Sequence, residues 1–178
     1  MKMKNEVKKM VAVAMIMVGG VVSVQAQITD SAVAKETVTN PSIEAFKKKI
    51  EANPNDTDSL VKLATAYQDA QSWDAAAATW DKLIALVPDW APAYYSKAYV
   101  YQSAKNNDAA KKGYEQYIAK VKPEEIESSK PNLAYAYFFV AYMEQKDNPA
   151  KAKEYVAKSL EYNPGNQEAQ NLSQFLNS

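Results

Sequence analysis

Prolines punctuate this chain at near-regular intervals, and that spacing constrains its fold more than any other feature. Pro54 and Pro88 lie 34 residues apart, Pro88 and Pro123 lie 35 apart, and Pro123 and Pro164 lie 41 apart. Pro54, Pro88 and Pro164 each close an amphipathic run, in the stretches NPND, VPDW and NPGN. Proline lacks the amide hydrogen and its ring collides with the preceding turn, so it stops a helix sharply. From Pro41 onward only Gly113 and Gly165 are glycines, and no Asn-Gly or Asp-Gly pair signals a hairpin. Ala and Lys are the commonest residues there, which predicts helices throughout. A period of about 34 residues holding two helices is the signature of a stacked repeat.

The first copy, Thr57 to Trp90, reads TDSLVKLATAYQDAQSWDAAAATWDKLIALVPDW. It sets Leu60, Leu63, Ala64 and Tyr67 on one helix, and Ala76, Trp80, Leu83 and Pro88 on the next. This strongly resembles the tetratricopeptide repeat, in which small residues let two helices cross closely while aromatic residues fill the flanks. The second copy, 91–124, keeps the pattern with Tyr94, Ala98, Tyr101, Ala110 and Tyr114. Lys97 departs from it, standing where Leu63 stood; its stem can pack while its amine reaches water. The third copy, 131–164, is the loosest. Its second helix puts Ala152, Val156 and Leu160 inward. Its first fits best with Ala141 as the small crossing residue and one residue deleted from the turn near Lys146 to Asn148. Residues 42–54 resemble the second helix of a degenerate copy. Residues 166–177 resemble a capping helix with Ala169, Leu172 and Phe175 inward. The resemblance implies an all-α fold over 41–178: a short right-handed superhelix of antiparallel helix pairs. The stretch KVKPEEIESSKPN, Lys120 to Asn132, reads as a lengthened surface join between the second and third copies.

The first 26 residues have the three parts of a secretory signal. MKMKNEVKKM carries four lysines, Val11 to Val22 is uncharged and apolar, and Val24-Gln25-Ala26 offers a cleavage site before Gln27. A retained anchor is the competing reading, but spanning a bilayer takes about 20 apolar residues. Residues 27–40 form a polar leader, expected to be flexible. Cleavage leaves 17 lysines against 20 acids, a net charge of −3, in a periplasmic or secreted bacterial protein without membrane insertion.

Composition excludes much chemistry. The chain has no His and no Cys, which removes imidazole bases, thiol nucleophiles and the usual zinc sites. All 21 basic residues are lysine, so no guanidinium fork is present. A neutral chain also lacks the basic stripe of a nucleic-acid binder. No metal site, cofactor or catalytic residue is expected, and carboxylates such as Glu124 and Glu125 have no partner nucleophile nearby in sequence.

In the tetratricopeptide family the first helix of each pair lines a concave face. Carried onto this chain, the resemblance implies Asp58, Val61, Thr65 and Gln68 in the first copy. It implies Tyr95, Tyr99 and Gln102 in the second, and Tyr135, Phe138 and Tyr142 in the third. The face runs from polar to aromatic, and tyrosine suits recognition because it combines area, a hydroxyl and few rotors. The same rings would also serve as core against neighbouring helices, and a short array's last groove is open to filling by its own terminus. The carboxylate clamp of chaperone-binding relatives needs Lys, Asn and Arg; here Val61, Thr65 and Ser96 stand in that stretch. The expected function is a non-catalytic scaffold or adaptor of the cell envelope that holds a peptide or protein partner. Glycan or small-molecule binding on the aromatic end, and self-assembly through the repeat ends, are the alternatives.

Overall fold

The computed structural model describes residues 40–178. The stretch expected to be a signal segment, and all of the expected leader but Asn40, lie outside the described residues. Among them are eight α-helices and no strand: α1 Pro41–Ala52, α2 Thr57–Asp69, α3 Trp73–Leu86, α4 Ala91–Ser103, α5 Asn107–Lys120, α6 Ile126–Glu144, α7 Pro149–Tyr162 and α8 Gln167–Asn177. Each packs chiefly against the helices before and after it in the chain. The helix starts are written in the sequence. Asp56, Asn106, Asn148 and Asn166 accept hydrogen bonds from amides of the first turn of α2, α5, α7 and α8, satisfying donors that no helical carbonyl reaches. α1, α3 and α7 end two residues before Pro54, Pro88 and Pro164.

The crossings fall where small residues stand. Ala64 and Ala76 are fully buried in the α2–α3 pair, and Ala98 and Ala110 in the α4–α5 pair. Gly113 brings the second pair closer still, since a Cβ built on it would lie 2.8 Å from the Cβ of Ala98. Around these contacts pack Leu60, Trp80 and Leu83 in one cluster, and Tyr94, Tyr114, Tyr117 and Phe139 in the next. Lys97 behaves as its position predicts: it pairs with Asp81, and its amine lies 5.4 Å from the centre of the Tyr101 ring.

The third pair carries the one-residue deletion. In the first two pairs the turn closes by a bond across five residues, from Ser72 N–H to the Tyr67 carbonyl and from Asn106 N–H to the Tyr101 carbonyl. In the third, Asn148 N–H donates to the Glu144 carbonyl, four residues back. Ala141 therefore takes the place of Ala64 and Ala98, and it clusters with Val156, Ala169 and Leu172. Val140, also buried, faces the preceding pair instead.

Two expectations need correction. Residues 120–132 are not a long surface join: a 3-10 turn, Pro123–Glu125, leads straight into α6, which begins at Ile126 and not at Pro131. Ile126 packs against the α4–α5 core, and this anchors helix upstream of Pro131 despite the bond that proline forfeits. Burial pushes the Tyr117 hydroxyl up to about 12, moderated by Ser129 and Asn132 of this extension. In α8, Phe175 does not point inward. Ala169, Leu172 and Leu176 fill the inner face, and Phe175 is 65% exposed.

The deletion also places Glu144 where Tyr67 and Tyr101 stand in the earlier pairs. Its carboxylate is buried between Lys111 of α5, at 2.8 Å, and Lys151 of α7, at 3.3 Å. Lys151 also pairs with Glu115, so three helices are tied at one point. The bond from Lys111 first, and that from Lys151 with it, hold the Glu144 carboxyl below the ordinary carboxylate range. A depressed folded value means the stabilisation is complete above the unfolded glutamate value of about 4.3, and disappears as the pH falls through the folded one. Glu144→Gln should therefore destabilise by about 1–2 kcal/mol at pH 7. In thermal melts followed by circular dichroism, the gap from wild type should shrink as the pH is lowered toward 3. A gap independent of pH would mean that the charge of Glu144 contributes nothing.

Candidate functional site

The first helix of each pair shows equivalent positions on one face, and the rings there become steadily more exposed along the array. Thr65 of α2 bonds back to the carbonyl of Val61. Tyr99 of α4 is 42% exposed, Tyr142 of α6 is 54% exposed, and Phe175 of α8 is 65% exposed. These three occupy the repeat position of Thr65, counted from each helix start and from the shortened third turn. The other large exposed apolar residue among those described, Leu86, lies at the end of α3.

The remaining face residues divide into packed and open. Val61 lies against the Leu60–Trp80 cluster, and Asp58 pairs with Lys62. Gln68 accepts a hydrogen bond from the Trp80 indole at 2.8 Å. Gln102 repeats the device one pair later, accepting from the Tyr114 hydroxyl at 2.7 Å and donating to Tyr135. Tyr95 meets Tyr114 and Tyr117 edge-on, with ring centres 5.4 and 5.1 Å apart. Burial raises the pKa of its hydroxyl, as it does that of Tyr114. Tyr135 packs on Tyr114 and Phe139. Tyr95, Gln102 and Tyr135, candidates for the open face, thus form one internal network that joins α4, α5 and α6.

Phe138 and Tyr142 meet a different setting. Their ring centres lie 6.3 Å apart, and together with Gln145 they form the α6 wall of a groove of about 380 Å³. The opposite wall is α8, through Glu168, Asn171, Leu172 and Phe175. Gln145 is the counterpart of Gln68 and Gln102, but Val156 stands where Trp80 and Tyr114 stood and has no polar atom to offer. Its amide instead donates to the Tyr142 carbonyl. The terminal helix does not fill the last groove; it supplies a wall of it. Glu168, Asn171 and Phe175 escaped sequence reasoning because residues 166–177 read as a cap. Counting α8 from Asn166 as another first helix, the way α2 counts from Asp56, puts these side chains on the groove face.

A tetratricopeptide-repeat profile matches residues 58–89, which span α2, α3 and the closing proline. Residues 58–89 are thus similar to a tetratricopeptide repeat. Solved structures share its fold at low sequence identity. MamA is 24% identical over 75% of this chain and 74% of its own, with a TM-score of 0.61. The C-terminal part of a TPR repeat-containing protein from Cytophaga hutchinsonii is 22% identical, with a TM-score of 0.66, over 73% of this chain and 52% of its own. A fragment of MamA from Desulfovibrio magneticus RS-1 is 21% identical over 76% of this chain and 72% of its own, at a TM-score of 0.59. The comparison with curated proteins finds no match. Among the described residues, no cluster of His, Cys, Asp or Glu is set to hold a metal. No helix there is long and apolar enough to cross a membrane.

Proposed function

We propose that this protein is a non-catalytic scaffold of the bacterial cell envelope that holds a segment of a protein partner in the groove between α6 and α8. The observation that carries this reading is the row of exposed rings at one repeat position, Tyr99, Tyr142 and Phe175, ending in a groove with an apolar floor. Soluble proteins seldom leave large rings exposed in a row without a use for them, and aromatic residues concentrate at binding surfaces. Export is supported by the lysine-rich start, the apolar run and the Val24-Gln25-Ala26 stretch.

The experiment is photo-crosslinking from a reactive residue introduced at Tyr142, in the native host, on the envelope fraction in which the processed chain begins at Gln27. A discrete crosslinked species is expected. The Tyr142→Ala, Phe175→Ala double variant should lose about tenfold or more in affinity for the captured partner, as deleting two aromatic contacts does, while keeping its helicity. Recovery of the protein only in the cytoplasm would refute the envelope assignment. Loss of helicity in the double variant would make these rings part of the core.

A further inference from the structure

We infer that the groove takes an extended peptide segment with lysine or arginine side chains flanking a large apolar residue; this rests on the groove reading above. Charge complementarity carries it. Glu168 is the single charged residue of the lining, and its carboxylate is exposed at the rim. No lysine lines the groove, so a carboxylate-bearing ligand would meet no counter-charge there.

The rings point the same way. An aromatic face carries negative potential and attracts a cation placed over it. Elsewhere this chain uses that attraction itself: Lys97 lies 5.4 Å from the Tyr101 centroid and Lys151 lies 5.3 Å from that of Tyr155. Among the described residues no lysine is placed over Phe138, Tyr142 or Phe175, so those faces are free for a cation from outside. An apolar side chain between the cations would reach Leu172 on the floor, while Gln145 and Asn171 offer amides to the backbone of an extended strand.

The test uses two fluorescein-labelled peptides, acetylated and amidated so that neither carries terminal charge. One alternates lysine with leucine and phenylalanine; the other has glutamate in place of every lysine. Fluorescence anisotropy with the purified protein should show the lysine peptide binding about tenfold tighter or more, at an ionic strength that leaves local charge pairs effective. Glu168→Gln should shrink that preference at least about threefold, and Phe175→Ala should weaken the lysine peptide about tenfold. A glutamate peptide that binds as tightly, and still depends on Phe175, overturns the charge inference and leaves the groove reading standing. So does a preference that Glu168→Gln leaves intact. If neither peptide binds, or if Phe175→Ala changes neither, both fail.

Discussion

Replacing Tyr114 by alanine is expected to lower the unfolding free energy by about 3–5 kcal/mol, the usual cost of emptying a large core site. Tyr114 is completely buried at the centre of the array. Its ring meets those of Tyr95, Tyr135 and Phe139, with centres 5.4, 5.7 and 5.0 Å away. Its hydroxyl donates to Gln102, which in turn reaches Tyr135. The variant leaves a cavity among three helices and strands the Gln102 carbonyl. Small domains have only about 5–15 kcal/mol in hand, so a large share of the stability goes. Urea unfolding followed by circular dichroism should show the midpoint fall. Tyr114→Phe separates the two contributions: it keeps the ring and loses the bond, and should cost about 1 kcal/mol. A Tyr114→Ala midpoint within error of wild type would mean that the tyrosine network does not hold the second and third pairs together.

Gly113→Ala is expected to destabilise, against the direction that helix propensity alone predicts. In an open helix this change gains about 1 kcal/mol. Here the new methyl would lie 2.8 Å from the Cβ and 3.0 Å from the Cα of Ala98. The Cα belongs to the α4 backbone and cannot swing aside, so the two helices must separate and loosen the tyrosines around them. Overpacking of this kind costs about 1–3 kcal/mol, which outweighs the propensity gain, and Gly113→Val should cost more. Gly165 provides the contrast: a Cβ there meets only the Asn163 side chain, at 3.6 Å. Gly165→Ala should be neutral or slightly stabilising when both variants are unfolded in urea. If Gly113→Ala matched it, α4 and α5 would not be in the close contact described.

Much of this fold was legible in the sequence because residue size reports packing directly. Ala64, Ala76, Ala98 and Ala110 mark crossings where bulk is excluded, and Pro54, Pro88 and Pro164 mark the ends of α1, α3 and α7. Even the deletion in the third turn could be read, because Ala141 alone restored the small residue to its place. The site was less legible. Helical spacing gives the direction of a side chain and not the height of what stands opposite. Tyr95 and Tyr99 leave α4 on nearly the same side, yet Tyr114 and Tyr117 cover the first and nothing covers the second to the same degree. Gln68, Gln102 and Gln145 share a repeat position, and two of them are internal braces because an aromatic donor faces them. Pro131 suggested a helix start on local chemistry, and the core contact of Ile126, invisible to local rules, moved that start upstream. Phe175 shares the period of Ala169 and Leu172, yet Leu176 packs against their cluster and Phe175 stays exposed, a choice of side that period alone does not make.

Each helix touching chiefly its chain neighbours has a consequence for signalling within the molecule. Among the described residues no helix joins one end of the array to the other, so the free energy of filling the α6–α8 groove reaches α1 through a relay of neighbouring helices. Each joint in such a relay can absorb part of a displacement, and coupling between distant sites requires an element with two states that both sites bias. Among the described helices, weak coupling between α1 and the surroundings of Phe175 is therefore the expectation, so that an event at one end leaves the other largely undisturbed.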